Sequence, residues 1–200
     1  HEPDLTLIRR FEVPVVEPAK SSHESDFLGV ADPRVPSLDG AWWMAYCGVM
    51  PVETPTPDNA WIGSVCLATS KDLVNWEKCG PVSGTGEGFG STGQPALVNN
   101  KDGVIFPDRI DDKVVMLHRP MKGPIETWCT NIAVADLPEG PYWDLGPVHG
   151  AMRCEEYEKS WVGAGCVPIK IGEGRYVSIE HTGNYISGNQ RKYVLDAFLY

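Results

Sequence analysis

The chain contains no apolar run long enough to cross a membrane as a helix. No signal-peptide pattern follows His1, which favours a soluble, cytoplasmic protein. No Cys-x-x-Cys pair occurs. Cys47, Cys66, Cys79, Cys129, Cys154 and Cys166 are scattered, most of them in apolar segments such as AYCGV, SVCLA and AGCVP. That spacing is wrong for zinc, so no metal or organic cofactor is expected, and buried free thiols are expected rather than disulfides. Cations are scarce, with 17 Lys and Arg against 27 Asp and Glu for a net charge of −10. A phosphate backbone needs a basic face, so a nucleic-acid partner is not expected, and neutral ligands suit the chain better than polyanions. Apolar residues at 3.6 spacing are missing over any useful length, which removes helices from the expectation.

Turn formers and aromatic residues are plentiful. The chain has 21 Gly and 17 Pro, and 10% of it is aromatic, as in folds of many short strands. LTLIRRFEVPVVEP reads as one strand with a Pro-punctuated exit. Gly29–Val35, the Asp39-Gly40 turn and Ala41–Val49 read as a hairpin. Trp61–Ser70 reads as a third strand, and Lys71–Pro81 as a turn and an outer strand centred on Trp76. Val82–Gln94 reads as a surface loop. The pattern then recurs. Gly103–Ile110, the turn at Asp111-Asp112 and Val114–His118 repeat the hairpin. Thr127–Asp136 matches Trp61–Ser70, and Leu137–Pro147 matches Leu73–Pro81 with Trp143 in the place of Trp76. A third round starts at Gly163 and turns at 172–174.

Four short strands per repeat define a propeller blade, with a β-sandwich as the alternative. About three blades are represented, and closure takes about four to eight. Residues 1–200 are therefore expected to form a single, partial propeller domain of a longer protein.

The stretch Asn99–Pro120 concentrates the chemistry. Asp102 stands at one end of the hairpin and His118-Arg119 at the other. A carboxylic acid paired with a cation suits a sugar-cleaving site, where one group protonates a leaving oxygen and the other holds an anion. The plainer readings are a turn carboxylate for Asp102, an ion pair with Asp108 for Arg119 and a core position for His118.

ADPRVPSLDGAWWMAY, LATSKDLVNWEKCGPV, NKDGVIFPDRIDDKVVMLHRP, GAGCVPIKIGEGRYVSIEHTG and YVLDAFLY resemble segments of glycoside hydrolase family 130. Its members are inverting mannoside phosphorylases and related β-mannosidases. The resemblance implies an all-β, five-bladed β-propeller, an oligosaccharide substrate and cleavage of β-mannosidic bonds by water or by inorganic phosphate. It implies that Asp102 is the catalytic acid, acting directly or through a sugar hydroxyl, and that Arg119 holds the attacking phosphate. Asp32 and Arg34 match the family's DPR near the sugar, and His181 matches a histidine near phosphate or sugar. Lys170 and His118 are further candidates for substrate binding. Trp161, Tyr185 and Trp43 are candidate stacking faces, Trp43 with a core role as the stronger alternative.

Two departures bear on the nucleophile. Trp161 stands where phosphorylases of the family carry a lysine, and Met121 where a polar residue often follows HRP. Both weaken a phosphate pocket and shift the expectation towards water, with Glu180 or the Glu155-Glu156 pair as base. An arabinan- or xylan-type propeller glycosidase and a non-catalytic sugar-binding propeller are the alternatives. A homo-oligomer is compatible with the sequence.

Overall fold

The computed structural model describes residues 6–7, 9–56, 59–92, 94–96, 98–150, 159–188 and 190–200. Their strands form three sheets in chain order. The first contains β1 (Gly29–Arg34), β2 (Ser37–Leu38), β3 (Ala41–Thr56), β4 (Asn59–Ser70) and β5 (Glu77–Pro81). The second contains β6 (Gly84–Thr85), β7 (Asn100–Ile105), β8 (Val114–Pro120), β9 (Thr130–Ala135) and β10 (Tyr142–His149). The third contains β11 (Ser160–Ala164), β12 (Ile169–Gly172), β13 (Arg175–Ser187) and β14 (Gln190–Leu199). One 3-10 turn, Ile125–Thr127, is the only helical element among the described residues.

Each sheet builds outwards from its first strand. The spatial order is β1-β3-β4-β5 in the first and β7-β8-β9-β10 in the second, all antiparallel. In the third, β11 and β12 share one side of β13, and β14 takes the other. Three such meanders laid face to face make consecutive propeller blades, not the two layers of a sandwich.

The turns explain the repeat. Asp39-Gly40 and Asp111-Asp112 all have left-handed backbones, with φ of 53°, 77°, 48° and 62°. Two such residues in succession match the twist of a hairpin, and Asp and Gly are the residues that tolerate it. The strand expected to be centred on Trp76 begins at Glu77 instead. Asp72 accepts the backbone N–H of Val74 and Asn75, so Trp76 belongs to the exit of that turn. The surface loop expected over Val82–Gln94 contains β6, which runs parallel to β10. The opening strand is not found among the described residues 6–7 and 9–18, where Pro14 and Pro18 withhold ladder donors.

The middle sheet is buried on both faces, which accounts for its nearly continuous apolar runs. Ile105, Val114 and Met116 meet Trp43, Ala45, Val65 and Leu67 of the first sheet. The alternate residues Val104, Phe106, Val115 and Leu117 meet Ala164 and Tyr176 of the third. Phe106 meets Tyr176 edge-on at 5.2 Å. Five described cysteines are free thiols, Cys47 and Cys66 buried among them.

Leu117 is fully buried, whereas Trp143 is 67% exposed although it is the larger side chain. Leu117→Ala is expected to cost about 3 kcal/mol in urea unfolding. Trp143→Ala should stay within about 0.5 kcal/mol. Comparable losses would show that the outer strand carries a core of its own.

Candidate active site

Two aspartates interrupt the innermost strands at equivalent points. The β1–β3 register shifts between Ala31 and Arg34, and the β7–β8 register between Lys101 and Val104. Asp32 and Asp102 sit in these bulges with φ of 54° and 55°. A bulge breaks the alternation of side chains and re-aims them. Lys101 and Asp102, neighbours that a regular strand would send to opposite faces, therefore line the same cavity.

Asp102 is 4% exposed. Arg34 Nη2 lies 3.5 Å from its Oδ1, Arg119 Nη2 3.1 Å from Oδ2, and His181 Nε2 3.6 Å from Oδ2. Arg34 is itself fixed by donating to the backbone carbonyls of Asp32, Ala164 and Gly165, so it reaches from the first blade to the third. The contact from Arg119 is off the line of a hydrogen bond. Asp102 Oδ2 and Arg119 Nε and Nη1 are buried with no hydrogen-bond partner among the described residues. Gly163 makes the space: a Cβ there would stand 2.0 Å from Asp102 Oδ2 and 3.0 Å from Arg119 Nη1.

The cavity over Asp102 measures about 330 Å³ and is lined by Asp32, Arg34, Arg119 and His181, with Trp161 and Tyr193 on the third-blade side. It adjoins an outer cavity of about 640 Å³ through Lys101, Arg119, Trp161 and Tyr193. The outer cavity is lined by the cations Lys101, Arg119, Lys122 and Arg191, and by no carboxylate among the described residues. His181 has its pKa pushed below 6.5 by burial, against the pull of Asp102 and with the help of Arg119 and Arg34. It is therefore neutral at pH 7, able to accept as well as donate a hydrogen bond. No grouping of three or more His, Cys, Asp or Glu suited to a metal occurs among the described residues.

Asp102, Asp32, Arg34, Arg119 and His181 are thus brought together as expected. His118 is not. It is fully buried inside the second blade, its Nδ1 3.2 Å from Asn100 Oδ1, its Nε2 3.5 Å from Asp144 and its ring 4.5 Å from Phe89. Lys170 is also elsewhere, 3.3 Å from Asp108, which removes Asp108 as a partner for Arg119. Glu180 is fully buried and accepts hydrogen bonds from Thr130 and Tyr200, with His149 Nε2 3.3 Å away, so it lines neither cavity. Glu155 and Glu156 lie outside the described residues. Trp43 is a core residue, while Trp161 and Tyr185 line the outer cavity. Sequence reasoning missed Lys101, Trp61 and Tyr193. Lys101 was signalled only by its place before Asp102.

A family model described as beta-1,4-mannooligosaccharide phosphorylase matches residues 8–199. The 1,2-beta-oligomannan phosphorylase of Thermoanaerobacter sp. (strain X514) is 31% identical over 168 residues, covering 84% of this chain and 47% of the relative. The beta-1,2-mannobiose phosphorylase of Listeria innocua serovar 6a is 28% identical over 181 residues, covering 88% and 42%. The solved Listeria innocua beta-1,2-mannobiose phosphorylase in complex with beta-1,2-mannobiose superposes with a TM-score of 0.65 at 27% identity, covering 94% of this chain and 44% of that one. An alpha-L-arabinofuranosidase from Clostridium thermocellum shares the fold alone, with a TM-score of 0.51 at 16% identity over 86% of this chain and 56% of that one. The chain spans about half the length of the curated relatives it matches. Its three sheets are blades of the five-bladed propeller type, and the chain belongs to glycoside hydrolase family 130.

Proposed function

We propose that this protein cleaves β-mannosidic bonds with inversion and that inorganic phosphate is the attacking group. The observation that carries this reading is the buried Asp102 carboxyl whose Oδ2 accepts no hydrogen bond, 3.1 Å from an arginine with two further donors unused. A proton on Oδ2 has room to meet a leaving oxygen, and a guanidinium with free donors suits a phosphate. The relatives named above are phosphorylases of β-mannosides.

In this reading a phosphate oxygen bonds to the anomeric carbon as the glycosidic C–O bond breaks on the opposite face. The leaving oxygen takes the proton of Asp102, directly or through a sugar hydroxyl. Asp102 regains a proton from the phosphate, which becomes an ester. Arg119 holds the phosphate, while Asp32 and neutral His181 hold sugar hydroxyls. Phosphate needs no carboxylate base, which agrees with Glu180 being saturated by Thr130 and Tyr200. The cationic outer cavity would draw phosphate towards a chain of net charge −10. Lys101 and Arg191 there offset the lysine that Trp161 replaces.

Asp32 favours a second reading, hydrolysis. It is a second, exposed carboxylate on the same cavity and could activate water. Asp102 is the proton donor in both readings.

Incubation of β-linked mannobiose isomers with and without phosphate separates them. Mannose 1-phosphate appearing only with phosphate is the expected result, and phosphate-independent release of mannose would establish hydrolysis. Asp102→Asn should lower kcat about 10³-fold in either case. Gly163→Ala should also lower kcat, by at least about tenfold, with a smaller change in KM, because the added methyl overlaps the carboxylate. An unaffected Gly163→Ala would mean that Asp102 sits elsewhere during turnover. The depressed pKa of His181 sets a sign for stability. Its contribution is complete above about pH 6.5 and is lost as pH falls through the lower folded value. Urea midpoints between pH 7.5 and 5 should therefore fall more steeply for the wild type than for His181→Gln. Parallel curves would contradict the burial of a neutral imidazole.

A further inference from the structure

Trp61 lies near the start of β4, opposite Pro51 of β3, and is 38% exposed. Lys101 Nζ lies 4.7 Å from the centroid of its ring. Lys101 comes from the same bulge as Asp102 and lines both cavities, so the indole is tied to the strand that carries the acid. Gly63 keeps this arrangement open, since a Cβ there would press to 3.3 Å on the lysine stem. On the third-blade side of the outer cavity, Trp161 and Tyr185 pack with ring centroids 5.4 Å apart, and the Arg191 guanidinium lies 5.2 Å from the Tyr185 ring. The outer cavity therefore has aromatic residues on both sides. Its 640 Å³ is about twice the 330 Å³ over Asp102. The inner volume is at the low end of the ~300–1,000 Å³ range of small-molecule sites, so a ligand confined to it leaves Trp61 bare.

We propose that Trp61, braced by Lys101, is a stacking platform for a sugar unit beyond the pair that flanks the scissile bond, so that the site prefers trisaccharides and longer chains. The proposal rests on the function proposed above and adds chain length to it. Pyranose C–H faces pack on indole as other apolar surfaces do, and the cation on Lys101 fixes the ring at little cost in mobility.

The test is the ratio of kcat/KM for β-linked mannotriose to that for mannobiose, with phosphate present, in wild type, Trp61→Ala and Trp61→Phe. Both substrates are assayed on one preparation, so a loss of folded enzyme cancels. The wild type should favour mannotriose, Trp61→Ala should lower the ratio about fivefold to tenfold, and Trp61→Phe should restore most of it. A wild type that cleaves both substrates with an unchanged ratio in Trp61→Ala overturns the platform and leaves the proposed function standing. A wild type that releases neither mannose nor mannose 1-phosphate from either substrate overturns both.

Discussion

One backbone residue governs this architecture: Asp102, held in the left-handed region inside an innermost strand. That conformation costs roughly 1–2 kcal/mol for an L-residue, and aspartate is among the few that adopt it as single residues. What it gains is position. The carboxyl leaves the plane of its own blade and meets Arg34 from the first blade and Arg119 from the next strand of the second. Arg34 in turn donates to the backbone at Ala164 and Gly165. Three blades therefore converge on one carboxyl group.

The interior holds a second buried carboxylate, and the contrast is instructive. Glu180 on β13 is enclosed by Thr130 from β9, His149 at the end of β10 and Tyr200 after β14. Both its oxygens are engaged. Burial and the adjacent Glu180 hold the Tyr200 phenol well above its ordinary range, so it stays a neutral donor. His149 stacks on Phe198 at 3.8 Å, which fixes the imidazole. This group joins the second and third blades and leaves neither Glu180 oxygen free for a ligand. Burial of a carboxyl group is thus common to both centres, and the oxygen that accepts no hydrogen bond separates them.

Much of the scaffold was legible because its cues are local. Asp39-Gly40 and Asp111-Asp112 announce left-handed turns, and the repeated turn spacing exposed the blades. Alternation along β8 carries a further lesson. Arg119 faces the central cavity, so its neighbour His118 on a regular strand must face the blade interior, and both could not serve one ligand. The bulge at Asp102 is the opposite case. Alternation there would have sent Lys101 away from the carboxylate, and a two-residue irregularity in register leaves no mark in composition. Lys170 failed for a third reason. It is adjacent to the β12–β13 turn, and its partner Asp108 comes from a segment 62 positions earlier that only the packed fold brings near.

The two residues of β6 close an exposure that blades ordinarily leave open. Gly84 and Thr85 run alongside Tyr142 and Trp143, so tightly that a Cβ at Gly84 would meet the Tyr142 carbonyl at 2.2 Å. The first part of β10 therefore has its outward amides and carbonyls engaged by the chain that has just left β5. A stray extended peptide arriving at that rim finds the seat taken, and the middle sheet resists the edge-to-edge growth by which open sheets coalesce into insoluble assemblies.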